Sequence, residues 1–250
     1  MDGTKTVRKA VIIGASSGIG EALARDLSGR GYEVGLAARR IELLKKIQSE
    51  LPAKSYVVQL DITKHKEAMD TLEKLLEKMG DVELIIINSG VRIPNSELLF
   101  SNDADTIDVN VTGFVAMATV ASNYFMRRLS GHIVGISSIA SLKGSGGSPA
   151  YNASKAFVSR YMDGIRQKLR HSNIYVTDVR PGFVDTKMVE DIKARFWVAS
   201  SEKAARQIRN AIDKRKRIVY ITRRWTLLAL IARWMPEILY NWAYCKFREW

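Results

Sequence analysis

The sequence predicts a doubly wound α/β fold: a mostly parallel, seven-stranded sheet with helices on both faces, followed by a basic, apolar C-terminal helical tail. Three observations predict it. Short β-rich runs alternate with longer stretches of helical periodicity along most of the 250 residues. Leu84-Ile85-Ile86-Ile87 is apolar on both faces, as a central parallel strand requires. Three glycines, Gly14, Gly18 and Gly20, stand at the first strand-to-helix turn.

The first strand is read at Ala10-Val11-Ile12-Ile13, followed by a helix from Ile19 to Arg30 and a second strand at Glu33 to Ala38. Ser55 to Leu60 reads as the third strand. Lys64 to Met79 reads as a helix, with Met69, Leu72, Leu75, Leu76 and Met79 at helical spacing. The fourth strand is Leu84 to Ile87, and a long helical region from about Ser101 to Leu129 leads to a fifth at His132 to Ile136. A helix from about Tyr151 to Arg170 leads to a sixth strand at Ile174 to Val179. Ser201 to Ile212 is helical, and Arg217 to Ile221 is the seventh strand. Parallel neighbours need long, right-handed crossovers, so this rhythm places ligands at the carboxyl ends of the strands.

Composition narrows the function classes. At 28.1 kDa, 46% hydrophobic and 26% charged, the chain can bury one substantial core, which excludes a disordered tail or a disulfide-stapled miniprotein. Cys245 is the single cysteine, and His65, His132 and His171 are scattered, so no metal site is expected. The net charge of +13 is uneven: residues 191–250 hold 14 Lys/Arg against 5 Asp/Glu. Met1 to Lys9 is short and polar, with no apolar leader, so a cytoplasmic protein is expected. The expected organisation is a single dinucleotide-binding and catalytic domain over residues 1–222, with residues 223–250 as its helical extension.

Gly14-Ala15-Ser16-Ser17-Gly18-Ile19-Gly20 lets the backbone turn tightly and approach a diphosphate, while the following helix offers free N–H groups. A plain strand-helix turn is the competing reading of the same residues. After the second strand stands Arg39-Arg40, where an acidic residue would hold a ribose 2′-hydroxyl; an arginine pair instead suits a 2′-phosphate. NADP(H) is therefore expected over NAD(H), unless the two arginines only cap the next helix.

With these motifs the chain resembles the short-chain dehydrogenase/reductase family, in its single-domain Rossmann-like branch. The resemblance runs from about Val7 to Ile221. It rests on the glycine turn, Asp61, Asn88-Ser89-Gly90, Asn110, Ser138, Tyr151-Asn152-Ala153-Ser154-Lys155 and Pro181-Gly182, all in order. Ser89 departs from the family's usual alanine.

The resemblance implies a catalytic set of Asn110, Ser138, Tyr151 and Lys155. Tyr151 and Lys155 are four apart and share a helix face. A phenol working near pH 7 needs its pKa lowered by roughly three units, and the resemblance gives Lys155 that task together with a hydrogen bond to the nicotinamide ribose. Ser138 would hold the substrate oxygen, and strand alternation turns its neighbour Ser137 the other way. Asn110 would hold a water linking Lys155 to solvent; a local helix irregularity is the plainer reading. Asp61 would receive the adenine amino group or else cap the next helix. Asn88 and Gly90 would line the adenosine, Pro181, Gly182 and Thr186 the nicotinamide, with Ser16, Ser17, Ile19, Ile62 and Val184 along the cofactor.

Phe183 to Ser200, with Met188, Val189, Ile192, Phe196, Trp197 and Val198, is either a substrate lid or a helix packed on the core; as a lid it suits an apolar carbonyl or alcohol. Gly144-Ser145-Gly146-Gly147-Ser148 is a flexible loop that can border the same pocket. The tail's apolar run, Thr226 to Pro236, is broken by Arg233 and Glu237 before the roughly 20 residues of a spanning helix. Basic residues beside Trp225, Trp234, Trp242 and Trp250 suit a helix lying in an anionic membrane interface, or an arm on a second subunit or over the pocket.

Two other functions compete with an oxidoreductase. A nucleotide-binding sensor or scaffold using its tail would not need the intact catalytic set. Nucleic-acid binding lacks any recognised module and is not expected. A homodimer or homotetramer follows from the resemblance.

Overall fold

The computed structural model describes residues 7–189, 197–222, 224–236 and 238–239. Seven parallel strands form one sheet in the order β3-β2-β1-β4-β5-β6-β7. They are β1 (Lys9–Ile13), β2 (Glu33–Ala38), β3 (Ser55–Gln59), β4 (Leu84–Ile87), β5 (Ser130–Ile136), β6 (Asn173–Pro181) and β7 (Ile218–Ile221). The order reverses direction between β1 and β4, which opens a crevice beyond the carboxyl ends of those strands.

Two cores follow from strand alternation. On β1, Val11 and Ile13 point to one face and Ala10 and Ile12 to the other, all fully buried. The first face is covered by α3 (His65–Met79), α5 (Phe114–Arg128) and α6 (Pro149–Lys168). The second is covered by α1 (Gly18–Ser28), α2 (Ile41–Glu50) and α7 (Ser201–Asp213). Because β1 and β4 are buried on both sides, their apolar runs carry no polar alternation. On the second face α1 and α7 are also joined by Arg209, whose Nε lies 2.8 Å from Asp26.

Most expected elements form within one to three residues of their predicted ends. Two differ. The long helical region is α4 (Phe100–Ile107), then a π-helical turn (Asp108–Gly113), then α5. The helix after Arg40, to which the sequence reading assigned no bounds, is α2. Beyond β7, α8 (Arg224–Trp234) packs on β7 and on the 3-10 turn Ile139–Leu142. Met1 to Thr6, Ile192, Phe196, Trp242, Cys245 and Trp250 lie outside the described residues, as do residues 190–196 of the expected lid.

Candidate active site

A cleft of about 810 Å³ runs across the carboxyl ends of the strands, from the glycine turn after β1 to the residues after β6. All the sequence-predicted site residues line it except Gly20 and Asn110. Gly14 and Gly18 have φ of +88° and +58°, a conformation that strains any residue with a Cβ. Gly20 is required by closeness instead: a Cβ there would sit 2.1 Å from the Gly14 carbonyl oxygen. Asn88, which lines the cleft, also braces this turn, its Nδ2 donating to the Gly14 carbonyl at 2.8 Å.

Ser17 occupies the N-cap position of α1 but its hydroxyl does not cap the helix. It accepts instead from Arg40 Nη2 at 2.8 Å, and the same nitrogen donates to Ser16 Oγ at 2.9 Å. The first N–H groups of α1 thus stay directed at the cleft, and a guanidinium lies beside them. Arg39 also lines the cleft, and its backbone carbonyl accepts from Gln59 Nε2. Asp61 Oδ1 accepts from the backbone N–H and the hydroxyl of Thr63, closing a turn ahead of α3, whose N-cap position is Lys64 rather than Asp61; Asp61 lines the cleft beside Ile62.

At the other end of the cleft, Ser138 leaves β5 with its Oγ donating to the Pro181 carbonyl and accepting from Ala140 N–H. Its hydroxyl also acts on the Tyr151 phenol, favouring the phenolate. Ser137 points the other way, donating to the buried Asp178 carboxylate at 2.5 Å. Lys155 is 4% exposed, donates to the Ile136 carbonyl at 3.1 Å and has its ammonium 5.8 Å from the Tyr151 ring centre. Burial pushes that ammonium down to about 8, against the pull of Asp178.

Burial raises the pKa of the Tyr151 phenol, opposed by the Ser138 hydroxyl and by the positive charge of Arg92, a second cation beside the Lys155 ammonium. Sequence reasoning did not single out Arg92. Its signal was available: a cation two residues beyond Asn88-Ser89-Gly90, just past a strand's carboxyl end. Met188, from the expected lid, brings its sulfur to 3.9 Å from the phenol oxygen.

Asn110 lies in the π-helical turn, 1% exposed. Its Oδ1 accepts from Val91 N–H and its Nδ2 donates to the Val91 carbonyl, both at 2.8 Å, and to Ser154 Oγ at 3.0 Å. The amide therefore pins the β4 loop to α6 one residue from Lys155. Such turns recur at functional sites because they re-aim backbone groups. Among the described residues no cluster of His, Cys, Asp or Glu is arranged to hold a metal ion.

Residues 8–196 match the family profile described as short chain dehydrogenase. An uncharacterized oxidoreductase of Myxococcus xanthus is 37% identical over 186 residues, covering 72% of this chain and 74% of that one. Among solved structures, a short-chain dehydrogenase from Sphingobium yanoikuyae in complex with NADPH superposes with a TM-score of 0.78 at 24% identity, over 89% of this chain and 92% of its own. The closed form of a serine dehydrogenase complexed with NADP+ gives 0.73 at 24% identity, over 82% and 88%.

Proposed function

The chain belongs to the short-chain dehydrogenase/reductase family and is an oxidoreductase acting on CH–OH and C=O groups; on that premise we propose that it uses NADP(H) in preference to NAD(H), with a hydrophobic carbonyl or secondary alcohol as substrate. The observation that carries the reading is one cleft with Tyr151, Ser138 and buried Lys155 at one end and the glycine turn with Arg40 at the other. The residues fit the cofactor. Gly20 approaches Gly14 too closely for any other side chain, α1 presents uncapped N–H groups, and Arg39 and Arg40 supply positive charge where a 2′-phosphate would lie.

NADP(H), when bound, supplies or accepts the hydride. In reduction, Tyr151 gives its phenolic proton to the substrate oxygen and Ser138 holds that oxygen as negative charge grows on it. Arg92 and Lys155 favour the phenolate that remains. Asn110 fixes the backbone beside Lys155, from which the proton is replaced. Met188 next to the phenol gives the substrate end an apolar contact. Two nearby NADP(H) complexes among the solved structures support the cofactor class. A homodimer or homotetramer at an anionic membrane surface completes the reading.

The test is NADPH consumption against ketones, aldehydes, 3-oxoacyl thioesters, steroids and quinones, beside NADH. Tyr151→Phe is expected to lower turnover by about 10²- to 10⁴-fold while NADPH still binds. Turnover retained in that variant would refute the role given to Tyr151.

A further inference from the structure

The two faces of α8 do different things. Its inner face is buried: Trp225 is 5% exposed and Ala229 3%. The indole fills the space beside Gly182 so closely that a Cβ there would lie 2.1 Å from it. It also meets Phe183 and Trp197 edge-on, with ring centres 5.5 and 6.0 Å away. Gly182 lines the cleft, so this helix is a buttress of the active-site wall. Just past its far end, Lys143 Nζ donates to the Met235 carbonyl.

The outer face is apolar and, among the described residues, uncovered. Leu227, Leu230, Ile231 and Trp234, spaced as one helical stripe, are 62%, 57%, 47% and 81% exposed, and Ile238 and Leu239 continue the patch. From Ile218 to Pro236 the sequence has three arginines and no acidic residue. An apolar stripe ending in an exposed tryptophan, in a segment with three arginines and one glutamate from Ile218 to Leu239, is matched by a surface with an apolar interior and an anionic rim. No helix among the described residues is long and apolar enough to cross a membrane, so such a face lies on a bilayer rather than through it.

We propose that the outer face of α8 docks the protein on an anionic lipid bilayer, and that docking sets the active-site wall against the source of a lipid-derived carbonyl substrate. The inference deepens the reading of the function given above and rests on it for the substrate alone. Docking itself stands on the two faces of the helix.

The test is sedimentation of the full-length protein, without substrate, with vesicles of phosphatidylcholine alone or with 30% phosphatidylglycerol (about one anionic lipid in three, enough to set a negative surface potential). Retention on the anionic vesicles alone is expected. It should fall by about 10-fold or more in Leu227→Asp/Ile231→Asp, with circular dichroism and NADPH binding unchanged. Quenching of tryptophan fluorescence by brominated lipid should drop in Trp234→Phe, which keeps an apolar side chain. Wild-type protein that stays in solution would overturn the proposal. So would equal retention of the double variant, which would assign binding to charge elsewhere in the chain. Light scattering showing that the double variant loses an oligomer would assign the face to a second copy instead. NADPH turnover on soluble ketones is read separately, so failure to dock and failure of the cofactor reading are distinguishable.

Discussion

Asp178 is fully buried on β6, where it accepts from Ser137 Oγ and from Arg180 Nε at 2.7 Å. Arg180 in turn reaches Tyr220 on β7. Two charges taken from water are held there by each other and by a hydroxyl, and removing one partner strands the other. The carboxylate has a second effect: it pulls the Lys155 ammonium upward against burial, which has lowered it to about 8. Asp178→Asn should therefore cost about 3–5 kcal/mol of stability. It should also move Lys155 further down, so that less of it is cationic near pH 8. The alkaline limb of kcat/KM for NADPH, which reports the free enzyme, is expected at lower pH in the variant; stability lost with that limb unmoved would leave Asp178 a purely structural role. Tyr151, Lys155 and Ser138 were legible through the family resemblance, which rests on residue types at fixed spacing. Asp178 was not, since it acts across strands that only the folded sheet makes neighbours, and Arg92 left only its position past a strand's end.

The elements were legible for a related reason: β1, β2 and β4 are short apolar runs bounded by turns, and nothing in the tertiary structure contradicts them. The π-helical turn was hidden because Asp108 to Gly113 keeps helical periodicity overall, and the register change appears only in backbone pairing. Another link between elements concerns pH. His132 on β5 is 8% exposed and its Nε2 lies 2.8 Å from Thr177 Oγ1 on β6, which donates to the Lys216 carbonyl before β7. Burial chiefly, with Arg215 assisting, lowers its pKa from 6.5 to about 4. A lowered folded value means that the stability is fully present above pH 6.5 and is lost as pH falls toward 4, because the unfolded chain takes the proton first. The loss should be roughly 3 kcal/mol, from a shift of about 2.5 units. Urea unfolding at pH 7.5 and pH 4 should show wild type losing that much more than His132→Gln; carboxylates elsewhere affect both proteins alike. Equal losses would show that the imidazole is not held neutral.

At the scale of the whole molecule, the cleft joins two ends with separate duties. The turn after β1 and the arginines after β2 hold charge and backbone N–H groups, while β5, α6 and the residues after β6 carry the acid–base groups. Substitutions at one end should then leave the work of the other intact. A ligand at 100 times its Kd adds about 2.7 kcal/mol to the folded state, which for a chain of this length is about 5–10 °C in Tm. NADPH is expected to raise Tm by that order, and NADH at the same concentration by less. Tyr151→Phe should keep the full NADPH shift, because the role proposed for the phenol is on the substrate oxygen. Arg40→Ala and Arg39→Ala should remove most of the difference between the cofactors, since charge-assisted contacts to a 2′-phosphate are worth about 1.5–3 kcal/mol, a factor of roughly 10–100 in Kd. Arg40→Ala should cost more, because it also frees the Ser16 and Ser17 hydroxyls that its guanidinium holds. A larger shift with NADH than with NADPH in the wild type would contradict the assignment of the arginine pair, while leaving the chemistry at the Tyr151 end untouched.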